Sequence, residues 1–141
     1  LAAEVAPHVD VAIHQAMASP RLEIKRAEAE RLGGEAWAVR VGVANVGWLG
    51  TEVTQWAREH RLVLPITLEL EGATVVDGEA RVRAGQLAGR SAFTYDGGAM
   101  SDGTPDRLSH RWVVRAPAGT TVRVTARHPR CGVASAEVRL A

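Results

Sequence analysis

The chain has 141 residues, a length that fits one domain with a hydrophobic core of its own. Hydrophobic residues make up 46% and charged residues 23%, the balance of a folded globular protein, which argues against disorder. The formal net charge of +1 excludes a whole-molecule attraction to nucleic acid or acidic lipid, and no apolar run is long enough to span a membrane.

The first segment predicts a short helix over residues 7–18. Pro7 suits the first helical position, and apolar residues then recur at helical spacing at Val9, Ile13 and Met17. Ser19–Pro20 ends the helix, because the residue before a proline avoids the helical region. The chain does not begin with methionine, and we interpret it as a piece of a longer polypeptide.

From Leu22 onward the hydrophobic period changes from about 3.6 to 2, which predicts strands. One predicted strand spans residues 62–70, with its leucines and Ile66 facing inward, and Asp77–Gly78 predicts a hairpin turn. Six or seven short strands without helices between them predict an all-β protein. We expect an antiparallel β-sandwich of about seven strands, like an immunoglobulin, fibronectin III or transthyretin domain, with one short helix in a loop.

The four tryptophans receive different predictions. Trp37 and Trp112 share strand faces with valines and leucines, so they are predicted core residues. Trp56 is predicted to anchor a short helix that Thr51 caps and that plugs one end of the sandwich. The inner side of that helix would carry Val53, Trp56, Ala57 and His60. Trp48 lacks an obvious buried face. The residues predicted as possible contacts for another domain or a ligand are Trp48, Leu49 and Glu52.

The sequence contains few motifs that indicate catalysis, metal binding or phosphate binding. The histidines, which begin no metal-binding spacing, are His8, His14, His60, His110 and His128. No Gly-x-Ser-x-Gly elbow is present. The tract at Gly85–Arg90 lacks the lysine of a phosphate loop. Cys131, the sole cysteine, excludes an internal disulfide and leaves the compartment open. It is either an incidental thiol or one whose pKa is lowered by Arg130 and His128.

Two charged patterns leave alternatives open. Residues 95–106 carry three aspartates among glycines, which favours a solvated turn over a calcium loop. These aspartates are Asp96, Asp102 and Asp106. Outward arginines form either a basic stripe for an anionic partner or a solvated face paired with acids. They are Arg81, Arg83, Arg111, Arg115, Arg123, Arg127 and Arg139.

Four tracts, taken in order, resemble the carboxy-terminal region of bacterial proteins of the zinc carboxypeptidase (M14) family. They are an Asn-x-Gly-aromatic-Leu turn at Asn45–Leu49, Gly-Gln-Leu-x-Gly-Arg at Gly85–Arg90, Trp-Val-Val-Arg at Trp112–Arg115 and Arg-x-Gly at Arg130–Val133. The resemblance covers residues 19–140. It rests on the order and spacing of the motifs, since no single one is diagnostic, and Gly50 departs from the proline that the pattern tends to show.

The resemblance implies that residues 1–19 are the helical tail of an upstream catalytic domain and residues 20–141 an accessory β-sandwich. The family's zinc ligands have no match here, so we expect no catalytic residue, metal or cofactor in this chain, with zinc in the peptidase domain of the parent. The expected partner is that peptidase domain, which the sandwich would stabilise, orient or shield from some substrates. The alternative is a module that binds carbohydrate, a peptide or another polymer through Trp48.

Overall fold

The computed structural model describes residues 2–52, 54–93 and 104–141. Within these ranges the chain forms eight strands and two α-helices. The strands are β1 (Leu22–Gly33), β2 (Ala36–Asn45), β3 (Thr67–Glu71), β4 (Thr74–Asp77), β5 (Arg81–Arg83), β6 (Arg107–Arg115), β7 (Thr121–His128) and β8 (Gly132–Arg139). The helices are α1 (Ala2–Met17) and α2 (Gln55–Glu59), and a 3₁₀ turn spans Arg90–Phe93.

The strands form two four-stranded sheets. The first has the order β1-β2-β6-β4 and the second β5-β3-β7-β8. Every paired neighbour is antiparallel. The prediction of an all-β antiparallel sandwich with a short N-terminal helix and one further short helix is therefore confirmed.

Alternate side chains from both sheets close the core between them. Trp37 and Trp112 are each 1% exposed and pack among valines and leucines. Their polar atoms are satisfied as well, because Trp37 Nε1 donates to the Ala116 carbonyl at 3.0 Å and Trp112 Nε1 to the Glu79 carbonyl at 3.1 Å. Full burial of a large apolar side chain stabilises the fold by about 1.5–3 kcal/mol. Trp37 and Trp112 are therefore core residues, as predicted.

The strand predicted over residues 62–70 begins later than expected. Leu62 and Leu64 are exposed, whereas Ile66 is fully buried and β3 starts at Thr67. Pro65 has no N–H to donate to a ladder, and the Leu62 N–H bonds back to the Ala57 carbonyl at the end of α2. The prediction that Leu62 and Leu64 face inward is therefore wrong.

The turn at Asp77–Gly78 does not make a hairpin. Gly78 has φ +84°, as a tight turn requires, but β4 pairs with β6 in the first sheet and β5 with β3 in the second. The turn therefore carries the chain from one sheet to the other. The predicted turn is therefore confirmed, but the prediction that the strands on either side of it pair with each other is wrong.

Helix α1 begins at Ala2, five residues before the predicted start, so that Pro7 lies inside it. The preceding alanines and Glu4 are strong helix formers, and the helix continues through Pro7 although that residue has no N–H to donate. Every side chain from His8 to Met17 is exposed, so this part of α1 is not packed on the sandwich. Neither α-helix of the described residues is long and apolar enough to cross a bilayer.

Candidate functional site

The connection from β2 to α2, residues 44–52, is a rigid corner built around Asn45, the only asparagine in the chain. Its Oδ1 accepts the N–H groups of Arg21 and Gly47, each at 3.0 Å. Its Nδ2 donates to the carbonyls of Leu49 at 2.8 Å and Ala88 at 3.2 Å. The buried amide therefore uses both donors and both acceptor positions, and it ties three segments of chain together.

Two glycines let the backbone approach this corner closely. A Cβ on Gly47 would lie 2.3 Å from the Ser19 carbonyl oxygen. A Cβ on Gly89 would lie 2.2 Å from the carbonyl oxygen of Trp48 and 2.4 Å from the carbonyl carbon of Leu49. No side chain fits at either distance. The corner is thus clamped between the exit from α1 and the segment before the 3₁₀ turn.

Thr51 fixes the far end of the corner. Its N–H donates to the Leu87 carbonyl, its hydroxyl accepts the Leu87 N–H at 2.9 Å, and the hydroxyl also bonds Gln86 Oε1 at 2.6 Å. The prediction that Thr51 caps α2 is therefore wrong. Thr54 takes that position and accepts the Ala57 N–H at 3.1 Å.

The corner displays two of the three predicted contact residues. Trp48 is 53% exposed and Leu49 is also exposed. Glu52 is only 8% exposed and lies within reach of the Thr51 hydroxyl at 3.4 Å. A partner at this surface can touch Trp48 and Leu49, but the prediction that Glu52 joins them is wrong because the corner folds that side chain inward.

Trp56 does not belong to the core. It is 60% exposed and stacks on His60, with ring centroids 4.2 Å apart and planes inclined by 27°. Helix α2 spans only five residues, so it cannot lay a full apolar face across the sandwich. The predicted plug with Trp56 as its buried anchor is therefore wrong, and Val53 lies outside the described residues.

A groove of about 500 Å³ runs between the end of α1 and the corner, a size typical of ligand pockets. We call it the Trp48 groove. Its walls come from the α1 exit, the corner, the start of the 3₁₀ turn and the β7–β8 turn. It is lined by Ala16, Met17, Ser19, Pro20, Arg21, Val46, Gly47, Trp48, Arg90, Arg130 and Cys131.

Positive charge predominates in the Trp48 groove. Arg21 lies 3.5 Å from Glu23, which also pairs with Lys25. The pKa of Glu23 is lowered, chiefly by the hydrogen bond from Lys25, with smaller contributions from Arg21 and Arg90. Within the described residues neither Arg90 nor Arg130 uses its guanidinium in an ion pair or hydrogen bond. Two of the three groove arginines can therefore accept an anionic partner.

Cys131 and His128 meet behind the groove. Cys131 Sγ lies 3.0 Å from Nδ1 of His128, which also accepts the Arg130 N–H at 3.2 Å. Burial raises the pKa of Cys131 to about 11, against the opposing effect of Arg130, and burial lowers the pKa of His128. Both groups are therefore neutral near pH 7. Of the two alternatives for Cys131, the structure favours the incidental thiol, because the effect of burial on its pKa outweighs that of Arg130 and the pair is not an activated nucleophile.

The outward arginines do not form a single stripe. Arg111 and Arg115 lie on β6 in the first sheet, whereas the other five lie on β5, β7 and β8 in the second. Several have acidic neighbours: Arg123 pairs with Glu137 at 2.7 Å, and Arg81 lies opposite Glu69 in the register. The structure favours the alternative of solvated faces.

Other candidate sites remain without support in the described residues. Asp96 and Asp102 lie outside those residues, and Asp106 forms an ion pair with its neighbour Arg107 at 3.1 Å. No three His, Cys, Asp or Glu side chains converge within residues 2–52, 54–93 and 104–141. The tract at Gly85–Arg90 forms a wall of the corner instead of a phosphate loop followed by a long helix.

Sequence reasoning finds Trp48 and Leu49 but misses the arginines that line the same groove. Arg21, Arg90 and Arg130 are separated by dozens of residues and meet only through the fold. A signal was nevertheless present: Gly47 and Gly89 are the positions at which the three segments come close.

A family profile described as "Domain of unknown function (DUF8731)" matches residues 21–139. The chain belongs to this family. The matched range contains the whole sandwich and the corner, and α1 lies before it. No curated protein matches the chain.

Proposed function

We propose that this chain is a non-catalytic accessory β-sandwich that packs on a companion domain of its polypeptide, and that the companion is the peptidase domain of a zinc carboxypeptidase. The resemblance of residues 19–140 to the carboxy-terminal region of M14 proteins supports the identity of the companion. The exposed apolar face made by α1 and the corner supports the docking role, and it is the observation that carries the proposal.

That face begins on α1. Val9, Ile13 and Met17 are exposed and follow one another at intervals of four residues, so they lie along one side of the helix. The face continues onto the corner, because Met17 and Trp48 line one groove and the Leu49 N–H donates to the Ala18 carbonyl. An amphipathic helix is expected to bury such a stripe, and a contiguous exposed apolar patch marks an interaction surface.

In this role the sandwich stabilises and orients the peptidase domain and limits which substrates reach its active site. Zinc and the catalytic groups would belong to the companion, since the zinc ligands of the family have no counterpart in this sequence. With zinc and C-terminal peptide substrates, the isolated 141-residue chain should release no amino acid. Zinc-dependent release would overturn the accessory role.

The longer polypeptide provides the decisive experiment. We expect the encoded sequence before Leu1 to contain His-x-x-Glu and a later histidine and glutamate. In that polypeptide, Ile13→Ser should lower the melting temperature of the peptidase domain by several degrees, because it places a polar group in the interface. Val76→Ser, at an equally exposed valine of β4, is the matched control and should have little effect. Absence of the zinc motif, or equal effects of both variants, would refute the proposal.

The alternative is a module that binds carbohydrate or another polymer. The exposure of Trp56 favours it, because the chain then shows two exposed indoles, Trp48 and Trp56, and sugar rings stack on such surfaces. Trp56, however, does not line the Trp48 groove. Retention on peptidoglycan or polysaccharide, lost in both Trp48→Ala and Trp56→Ala, would support this function over the accessory role.

A further inference from the structure

We propose that the Trp48 groove binds an acidic peptide segment, in which carboxylates flank a bulky apolar side chain. This inference rests on the proposed docking role and names what the companion brings to the interface. It follows from the charge, composition and rigidity of the groove.

The charge of the groove selects an anion. Among the described residues that line it, the charged ones are Arg21, Arg90 and Arg130 and none is acidic, and within the same part of the chain the guanidinium groups of Arg90 and Arg130 have no ion pair. Guanidinium groups bind carboxylates through paired hydrogen bonds, which makes arginine the residue best suited to such a site. Glu23, the carboxylate that pairs with Arg21, is shared by Arg21 and Lys25.

The apolar side chains of the groove select a peptide. Trp48 is 53% exposed and Met17 is 76% exposed, and both lie beside the arginines. Aromatic residues, methionine and arginine are the types enriched at protein–protein interfaces, and tryptophan and arginine dominate their binding energy. A bulky apolar residue of the partner would fill the space between the indole and Met17 while neighbouring carboxylates reach the arginines.

The same lining is unsuited to a glycan. Sugar hydroxyl groups require acceptors as well as donors. Among the described lining side chains, the three guanidinium groups only donate, and the Ser19 hydroxyl is left as the acceptor. Trp48 is the one aromatic side chain among the described residues that line the groove, so within them a sugar chain would lack a second stacking platform. An acidic peptide with an apolar anchor satisfies both parts of the surface.

The groove is also held in shape before binding. Asn45 ties the corner to Arg21 and Ala88, and Gly47 and Gly89 lock its backbone against neighbouring segments. Binding therefore does not require ordering of the wall that carries Trp48. A preformed site retains more of its interaction energy as affinity.

The test is a fluorescence anisotropy titration of the 141-residue chain with the labelled peptide Glu-Glu-Leu-Phe-Glu-Glu. We expect saturable binding with a dissociation constant below roughly 100 µM. Raising NaCl from about 50 mM to about 300 mM should weaken it several-fold, because exposed charges are screened. The peptide Gln-Gln-Leu-Phe-Gln-Gln, of the same shape without charge, should bind at least about fivefold more weakly. Failure of the acidic peptide to bind would overturn the inference.

Variants locate the binding site. Arg90→Ala and Arg130→Ala should each weaken binding roughly five- to tenfold. Arg115→Ala removes an exposed arginine that pairs with Ala36, at the end of β2 distant from the corner, and is the matched control. Circular dichroism confirms that each variant is folded. Equal losses in Arg90→Ala and Arg115→Ala would show non-specific attraction and refute the site.

A measurement on the unaltered chain supplies an independent check. In an NMR titration, the acidic peptide should shift the indole N–H signal of Trp48, identified by its loss in Trp48→Phe, and leave those of buried Trp37 and Trp112 in place. A polygalacturonate oligosaccharide carries carboxylates without apolar groups and should shift the signal less. A larger shift and tighter binding with polygalacturonate would assign the groove to an acidic glycan and overturn the inference.

The two proposals fail in different ways. If a zinc peptidase domain precedes the chain but the acidic peptide does not bind, the accessory function stands and the acidic segment is wrong. If the peptide binds and no peptidase domain precedes the chain, the groove stands and the identity of the companion is wrong.

Discussion

The chain contains two pairs of tryptophans with opposite surroundings. Trp37 and Trp112 sit on neighbouring strands, are 1% exposed and donate to backbone carbonyls. Trp48 and Trp56 lie in the connection between β2 and β3 and are more than half exposed. The comparison teaches that a tryptophan on an alternating strand face is held by the sheet, whereas one in a connection depends on what the local backbone leaves uncovered.

The largest expected effect separates the two pairs directly. Trp37→Ala and Trp112→Ala should each lower the free energy of unfolding by about 3–5 kcal/mol, because each leaves a cavity in the core. Trp48→Ala and Trp56→Ala should change it by less than about 0.5 kcal/mol. Urea denaturation of the four variants measures the difference. A large loss of stability in Trp48→Ala would mean that its ring is structural.

Asn45→Ala tests whether the exposed region depends on a buried polar centre. Removal of four hydrogen bonds, with several buried partners left unsatisfied, should cost roughly 2–4 kcal/mol. Ser135→Ala, an exposed position on β8, is the control and should be close to neutral. Denaturation curves for the two variants decide the matter. If Asn45→Ala is as stable as the control, the corner is held by other contacts.

Gly89→Ala tests the clamp on the corner itself. The added methyl group would overlap the Trp48 carbonyl, so the backbone must move, and we expect a loss of about 1–3 kcal/mol. The indole N–H signal of Trp48 should shift in the NMR spectrum while those of Trp37 and Trp112 stay in place. Gly50→Ala is the control, because its methyl group would meet only the end of the Glu52 side chain. Equal spectra would show that the close approach is not required.

The smallest expected effect is the pH dependence of stability caused by Cys131, a buried residue that also lines the Trp48 groove. Its pKa is raised to about 11 in the folded chain, so the folded state keeps its proton when the unfolded state loses it. The free energy of unfolding should therefore fall as pH rises from about 9 towards 11. Cys131→Ser should weaken this dependence. Urea midpoints of both proteins at about pH 8 and about pH 10 measure it, and identical pH dependence would contradict the burial of the thiol.

The sequence predicts the sandwich well, because the alternation of apolar and polar residues along a strand shows which side chains are buried. Val39, Val41 and Val43 lie inside as their spacing indicates. Sequence patterns fail where the structure depends on contacts between segments that are distant in the chain. The Asp77–Gly78 turn is visible, but nothing local to it indicates that β4 and β5 join different sheets.

The candidate site is predicted only in part, for a related reason. Trp48 is recognisable as exposed because it lies between glycines and outside any strand period. Trp56 is mistaken for a core residue, because helical spacing says which residues share a side and not whether that side meets the sandwich. The guanidinium groups of the groove come from three distant segments, and only the folded backbone brings them together.

The clamp between Gly47 and the Ser19 carbonyl has a mechanical consequence. The chain passes from α1 into β1 through Ser19, Pro20 and Arg21, the residues that lie closest to Gly47 beside Trp48. The direction in which α1 leaves the sandwich and the position of the wall that carries Trp48 are therefore set at the same point of the backbone. A ligand that fills the Trp48 groove would contact both Met17 at the end of the helix and Trp48 on the corner.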